Sequence, residues 1–169
     1  SASPRTVQPT FSVRWTGAET GWQKSEQPAL TLEDISATGG TTNEQARHEL
    51  MFLYCNEGNL EGVRQLLELH AISPHITLPP AVTPLHIAVE AGHEDIVRLL
   101  LKHHASIDQP SQLGDRPIDY AVAKGNLSMC NLLLRHKAHP DLNEPGAHPP
   151  MVRAIDGGHV QIARALLLA

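Results

Sequence analysis

The sequence predicts an all-α solenoid of stacked helix-turn-helix units with protruding hairpin-like loops, preceded by an irregular N-terminal leader. Three observations carry that expectation. First, Thr83-Pro84-Leu85-His86-Ile87-Ala88 followed by Gly92-His93 returns 33 residues later as Arg116-Pro117-Ile118-Asp119-Tyr120-Ala121 followed by Gly125-Asn126. A third copy, Pro149-Pro150-Met151-Val152-Arg153-Ala154 followed by Gly158-His159, stands a further 33 residues on. Second, each glycine precedes a helical apolar pattern: Ile96, Val97, Leu99 and Leu100 in one copy, Met129, Cys130, Leu132 and Leu133 in the next. Third, turn formers separate the copies, as Pro110, Ser111, Gly114 and Asp115 do between Ala105 and Arg116. A fixed period of this length marks units that cannot bury their apolar faces alone and must stack to make a core.

Residues 1–41 fall outside the period. They are rich in Ser, Thr, Pro and Gly, yet hold both tryptophans, Trp15 and Trp22. Phe11, Val13 and Trp15 alternate with polar residues, a strand pattern that can hairpin back through Gly17 to Gly21 toward Trp22. The composition equally suits a disordered leader. The aromatic residues also suit docking on the first repeat, which would shield the open end of the solenoid, or a linear motif read by another protein.

The first repeat spans about residues 42–77. Gly58-Asn59-Leu60-Glu61 aligns with Gly92-His93-Glu94-Asp95 at an offset of 34, leaving one extra residue in the loop from Ala71 to Val82. Thr41 and Glu44 match a capping box ahead of a helix carrying Leu50, Leu53 and Tyr54. In the second and third repeats, about 78–110 and 111–143, Pro84 and Pro117 fit a first helical turn, where the missing N–H has no helical partner anyway. Thr83 is the N-cap, and Gly92, Gly125 and Gly158 end the first helices. The fourth repeat, about 144–169, has Ala147, Pro149 and Val152 at slots where its finger geometry departs from the pattern. Its last helix, Ala165-Leu166-Leu167-Leu168-Ala169, lacks the polar substitutions of a terminal cap, so further repeats are expected to follow.

These motifs resemble the ankyrin-repeat family over about residues 42–169. The family consensus carries Thr-Pro-Leu-His at the start of a first helix, Gly-His between the helices, and Gly-Ala-Asp before a hairpin. Ala105-Ser106-Ile107-Asp108 and Ala138-His139-Pro140-Asp141 occupy that last slot. The resemblance implies a protein-binding module whose partner lies on the concave face made by finger tips and the exposed side of the first helices. Carried over slot by slot, the partner-binding residues of the second repeat are Val82, Glu90, Ala91 and His103. Those of the third are Gln112, Leu113, Asp115, Ala123, Lys124 and His136, and those of the fourth are His148 and Asp156. Leu113 is the most telling, because an apolar finger tip has little structural reason to exist. The mixture of Glu90, Asp115 and Asp156 with Lys124 and histidines favours a partner with a basic patch, with binding expected to weaken below about pH 6.5 as histidines charge. Ankyrin repeats are also appended to enzymes and bacterial effectors, so a targeting or regulatory part of such a protein is the alternative.

Other function classes find no support. A net charge of −5 with no Lys/Arg cluster repels nucleic acid. The apolar run from Ile96 to Leu101 is broken by Arg98 and far shorter than the roughly 20 residues of a membrane span. Cys55 and Cys130 are too few for a disulfide framework and sit in apolar slots, which points to a reducing compartment, cytoplasmic or nuclear, or a host cell if the chain is a delivered effector. Of 11 histidines, His103, His104, His136 and His139 invite a zinc site, but no ligand quartet is apparent and no metal is expected. Glu94 and Asp95, like Glu33 and Asp34, stand where helix N-termini favour negative charge. Neither a nucleophile elbow nor a phosphate loop is present, so no catalytic residue and no cofactor are expected of this monomeric fragment.

Overall fold

The computed structural model describes residues 11–15, 22–28, 42–77, 81–140 and 148–169. Among them, strands β1 (Phe11–Trp15) and β2 (Trp22–Pro28) precede eight helices. The helices are α1 (Thr42–Glu57), α2 (Leu60–Glu68), α3 (Pro84–Ala91), α4 (Glu94–Lys102), α5 (Pro117–Ala123), α6 (Leu127–Arg135), α7 (Pro150–Asp156) and α8 (Val160–Leu167).

Each repeat is one helix pair joined by a two- or three-residue link. Proline opens α3, α5 and α7, where its fixed φ suits the first turn. Asn59 and Asn126 cap α2 and α6, their side-chain oxygens accepting from the N–H of Gly62 at 2.9 Å and of Met129 at 3.0 Å. First helices stack in one row, α1 on α3 on α5 on α7, and second helices follow in another. Between the rows runs a continuous core from Leu50 and Phe52 through Leu85, Ile96 and Leu100 to Ile118, Met129, Leu133 and Ile162.

Within the leader, β1 and β2 form an antiparallel pair with Trp15 opposite Trp22 and an irregularity between Phe11 and Ser12. The leader is therefore not wholly irregular, and its alternating pattern corresponds to a strand. The backbone of β1 runs beside α1. Thr41, the expected Gly17 to Gly21 turn, and Ala147 lie outside the described residues.

Slot equivalence explains an uneven surface. Val89 and Val122 are 1% and 0% exposed because the next repeat covers them, whereas Ile155 in the same slot is 65% exposed.

Candidate partner-binding face

The third finger is a tight turn. The Ser111 N–H donates to the Asp115 carbonyl at 2.8 Å, the Gly114 N–H donates to the Ser111 carbonyl at 3.0 Å, and Gly114 takes φ +81°. Gln112 and Leu113 stand at the tip, with Leu113 61% exposed.

The second repeat anchors this finger from below. The Thr83 N–H lies 3.1 Å from His86 Nδ1, and a backbone N–H can only donate, so Nδ1 holds the lone pair and Nε2 the proton. That Nε2–H then donates to the Asp115 carbonyl at 3.2 Å. His86 is fully buried, edge-on to Tyr120, and burial pushes its pKa down to about 4. It is a neutral structural peg between two repeats.

Two of the expected face residues are committed elsewhere. Val82 is 6% exposed and belongs to the core, because at the base of its finger it packs against the helix pair rather than projecting. The Asp115 carboxylate is paired with the Arg153 guanidinium, whose Nε also donates to the His148 carbonyl at 3.1 Å. Asp115 therefore ties the third repeat to the fourth through its side chain and the second to the third through its carbonyl.

The remaining residues divide among three places. At the C-terminal ends of the first helices, Ala91, Ala123, Lys124 and Asp156 are exposed and Glu90 is half-buried. Glu90 Oε1 and Lys124 Nζ lie 3.4 Å apart across the repeat boundary, which neutralises the centre of this row. His103 and His136 instead follow the ends of the second helices α4 and α6, with His103 Nε2 3.9 Å from Glu68. His148 is exposed just ahead of α7.

The sequence reading missed a buried ion pair. In the third repeat Arg116 and Asp119 replace the Thr83 and His86 of the second, and each is 2% exposed. Asp119 Oδ2 accepts from the Arg116 N–H at 2.8 Å and from its Nε at 3.3 Å, while Arg116 Nη1 donates to the His139 carbonyl at 2.9 Å. Asp119 Oδ1 and Arg116 Nη2 find no partner. Burial raises the Asp119 pKa, against the opposing pull of Arg116. The available signal was the joint replacement, with opposite charges, of two slots three residues apart.

Both cysteines are fully buried; burial raises the Cys55 pKa and pushes that of Cys130 up to about 12, so each stays a protonated thiol. Among the described residues no group of three His, Cys, Asp or Glu side chains is placed to hold a metal, and no helix is long and apolar enough to cross a membrane.

The family model for ankyrin repeats (3 copies) matches residues 50–144, more than half of the chain. The chain belongs to the ankyrin-repeat family. Ankyrin repeats are protein-interaction modules and non-catalytic ones, which fits a face made of turns and helix ends. Serine/threonine-protein kinase 12 of Arabidopsis thaliana is 28% identical over 110 residues, 65% of this ankyrin chain and 23% of the kinase. The crystal structure of the human ASB11 ankyrin repeat domain shares the fold with a TM-score of 0.63 at 24% identity, covering 70% of this chain and 52% of that one. The chain thus spans less than a quarter of the kinase and about half of the human domain.

Proposed function

We propose that this ankyrin chain binds a protein partner through its concave face, with Leu113 as the apolar contact. The observation that carries the reading is the exposure of Leu113 at the tip of a finger held rigid from both sides by His86 and Arg153. A fixed turn loses little entropy on binding, so an apolar side chain displayed on it contributes most of its burial energy to the complex. Gln112 flanks it, and Glu90, Ala91, Ala123, Lys124 and Asp156 form the polar row beyond. Asp156 is the carboxylate of that row left without a salt-bridge partner among the described residues, which favours a partner presenting a basic group there. His103 and His136 stand at the ends of α4 and α6 and His148 ahead of α7, outside that row. The monomer acts in a reducing compartment, cytoplasmic or nuclear, in keeping with two free buried thiols. The β1–β2 hairpin beside α1 caps the N-terminal end of the solenoid.

A second reading rests on the kinase relative, of which the matched segment is 23%: the chain is then the targeting part of a larger enzyme. Affinity capture tests the main reading by comparing the parent chain with Leu113→Asp and Asp156→Lys variants, each checked for native helicity by circular dichroism. A protein retained by the parent and released by both variants supports concave-face binding. Equal retention by all three overturns it.

A further inference from the structure

On the opposite side of the solenoid, a groove of about 490 Å³ opens between α6 and α8. Its walls include Leu127, Asn131, Leu134, Arg135, Arg164 and Leu168. Its lining mixes apolar side chains with the amides of Asn131 and Gln161, and its charged groups, Arg135 and Arg164, are both basic in a chain whose net charge is −5.

The same place one repeat earlier is built differently. Glu94 opens α4, accepts from the Ser128 hydroxyl of α6 and from Arg98 at 3.1 Å, and so bridges the two outer helices. Ser128 above all holds the Glu94 carboxyl below the usual carboxylate range. On α2, Arg64 is likewise answered by Glu61 at 3.6 Å and Glu68 at 3.8 Å. Leu127 and Val160 take the Glu94 slot in the third and fourth repeats, and neither α6 nor α8 contains an acidic residue. The bridge is therefore lost, and among the described residues Arg135 and Arg164 have no carboxylate partner.

We infer that this outer groove docks a short acidic, leucine-rich segment of a partner protein, at a second site separate from the concave face. Carboxylates of the segment pair with Arg135 and Arg164, replacing the neutralisation that Glu94 and Glu68 provide on the neighbouring helices. Its apolar side chains cover Leu127 and Leu134. Two arginines are too few to draw a polyanionic nucleic acid onto a chain of this net charge. A recessed groove also suits a narrow peptide better than a flat lipid surface.

Fluorescence anisotropy tests this with a labelled peptide that alternates Leu pairs with Glu and Asp, beside a matched peptide carrying Lys at the acidic positions. The acidic peptide should bind the parent chain, lose about tenfold or more in affinity to the Arg135→Glu/Arg164→Glu variant, and weaken as salt is raised. Leu113→Asp should leave its affinity unchanged, which separates this site from the concave face. If charge reversal lowers the melting temperature, Arg135→Gln/Arg164→Gln replaces it and should still weaken binding. Equal binding of both peptides, no binding of either, or an affinity indifferent to both arginine variants overturns the inference. So does arginine-dependent sedimentation with phosphatidylserine vesicles in place of peptide binding.

Discussion

The imidazole of His159 lies over Gly125 of the preceding repeat so closely that a Cβ there would stand 2.6 Å from its Cε1. The same contact joins His93 to Gly58, where His93 Nε2 also meets the Asn56 carbonyl at 3.1 Å. At Gly58 and Gly125 the glycine thus serves two ends: it takes a left-handed φ that closes the first helix, and it leaves room for a ring from the next repeat.

Gly125→Ala and Gly158→Ala separate those two roles. Both positions have positive φ, +66° and +70°, but a Cβ at Gly158 meets nothing within 4 Å. Gly158→Ala should cost about 1 kcal/mol, the left-handed penalty alone. Gly125→Ala should cost about 2 to 3 kcal/mol, because the ring must also move. Urea denaturation of both variants measures the difference, and equal losses would show that the ring contact carries no weight.

His86 makes stability depend on pH in a defined direction. Its folded pKa of about 4 lies below the ordinary histidine value of 6.5, so the neutral ring is favoured by folding. Its contribution is complete above 6.5 and is lost as pH falls toward 4. Between pH 7 and pH 5 the parent should lose about 2 kcal/mol more than His86→Asn, which cannot titrate. Asp119, its pKa raised by burial, acts in the opposite sense in both proteins and cancels in the comparison. Parallel stability profiles for parent and variant would refute the assignment.

The Arg116–Asp119 pair should be strongly coupled. Removing either partner leaves a charge at 2% exposure, so Arg116→Met or Asp119→Ala should each cost about 3 to 5 kcal/mol. Replacing both with the second repeat's own solution, Arg116→Thr with Asp119→His, should cost far less than the sum, because Thr83 and His86 already satisfy one another on the same backbone. A double-mutant cycle by chemical denaturation reads this directly, and additive losses would contradict it.

Lys137 is exposed and holds φ +67° where the family consensus has glycine. Lys137→Gly should relieve that strain and raise stability by about 0.5 to 1 kcal/mol, after the greater freedom that glycine gives the unfolded chain. A lower melting temperature would show that the lysine side chain contributes more than its backbone costs.

The architecture was legible because stacking imposes a period: apolar slots such as Ile96, Met129 and Ile162 recur where the core needs them. Turn chemistry was legible too, since Pro84, Pro117 and Gly92 state their backbone positions locally. The leader's alternation of Phe11, Val13 and Trp15 corresponds to β1. Less of the candidate face could be read, because exposure there depends on contacts between repeats. Val82 shares its slot with Asp115 and His148, yet only His148 is exposed: one turns into the core and one pairs with Arg153. Arg153 itself was a usable clue, as a cation in the slot that Ile87 and Tyr120 fill elsewhere needs a carboxylate nearby. The outer groove was not legible in the sequence, because only spatial adjacency shows that Glu94 bridges to Ser128 and that Leu127 cannot.

The most direct test of concave-face binding is hydrogen–deuterium exchange on the chain with and without the protein it captures. The account predicts slowed exchange at residues 111–115 and at the ends of α3 and α5 around Glu90, Ala91, Ala123 and Lys124. Protection confined to the second helices, with exchange at Gln112 and Leu113 unchanged, would contradict it.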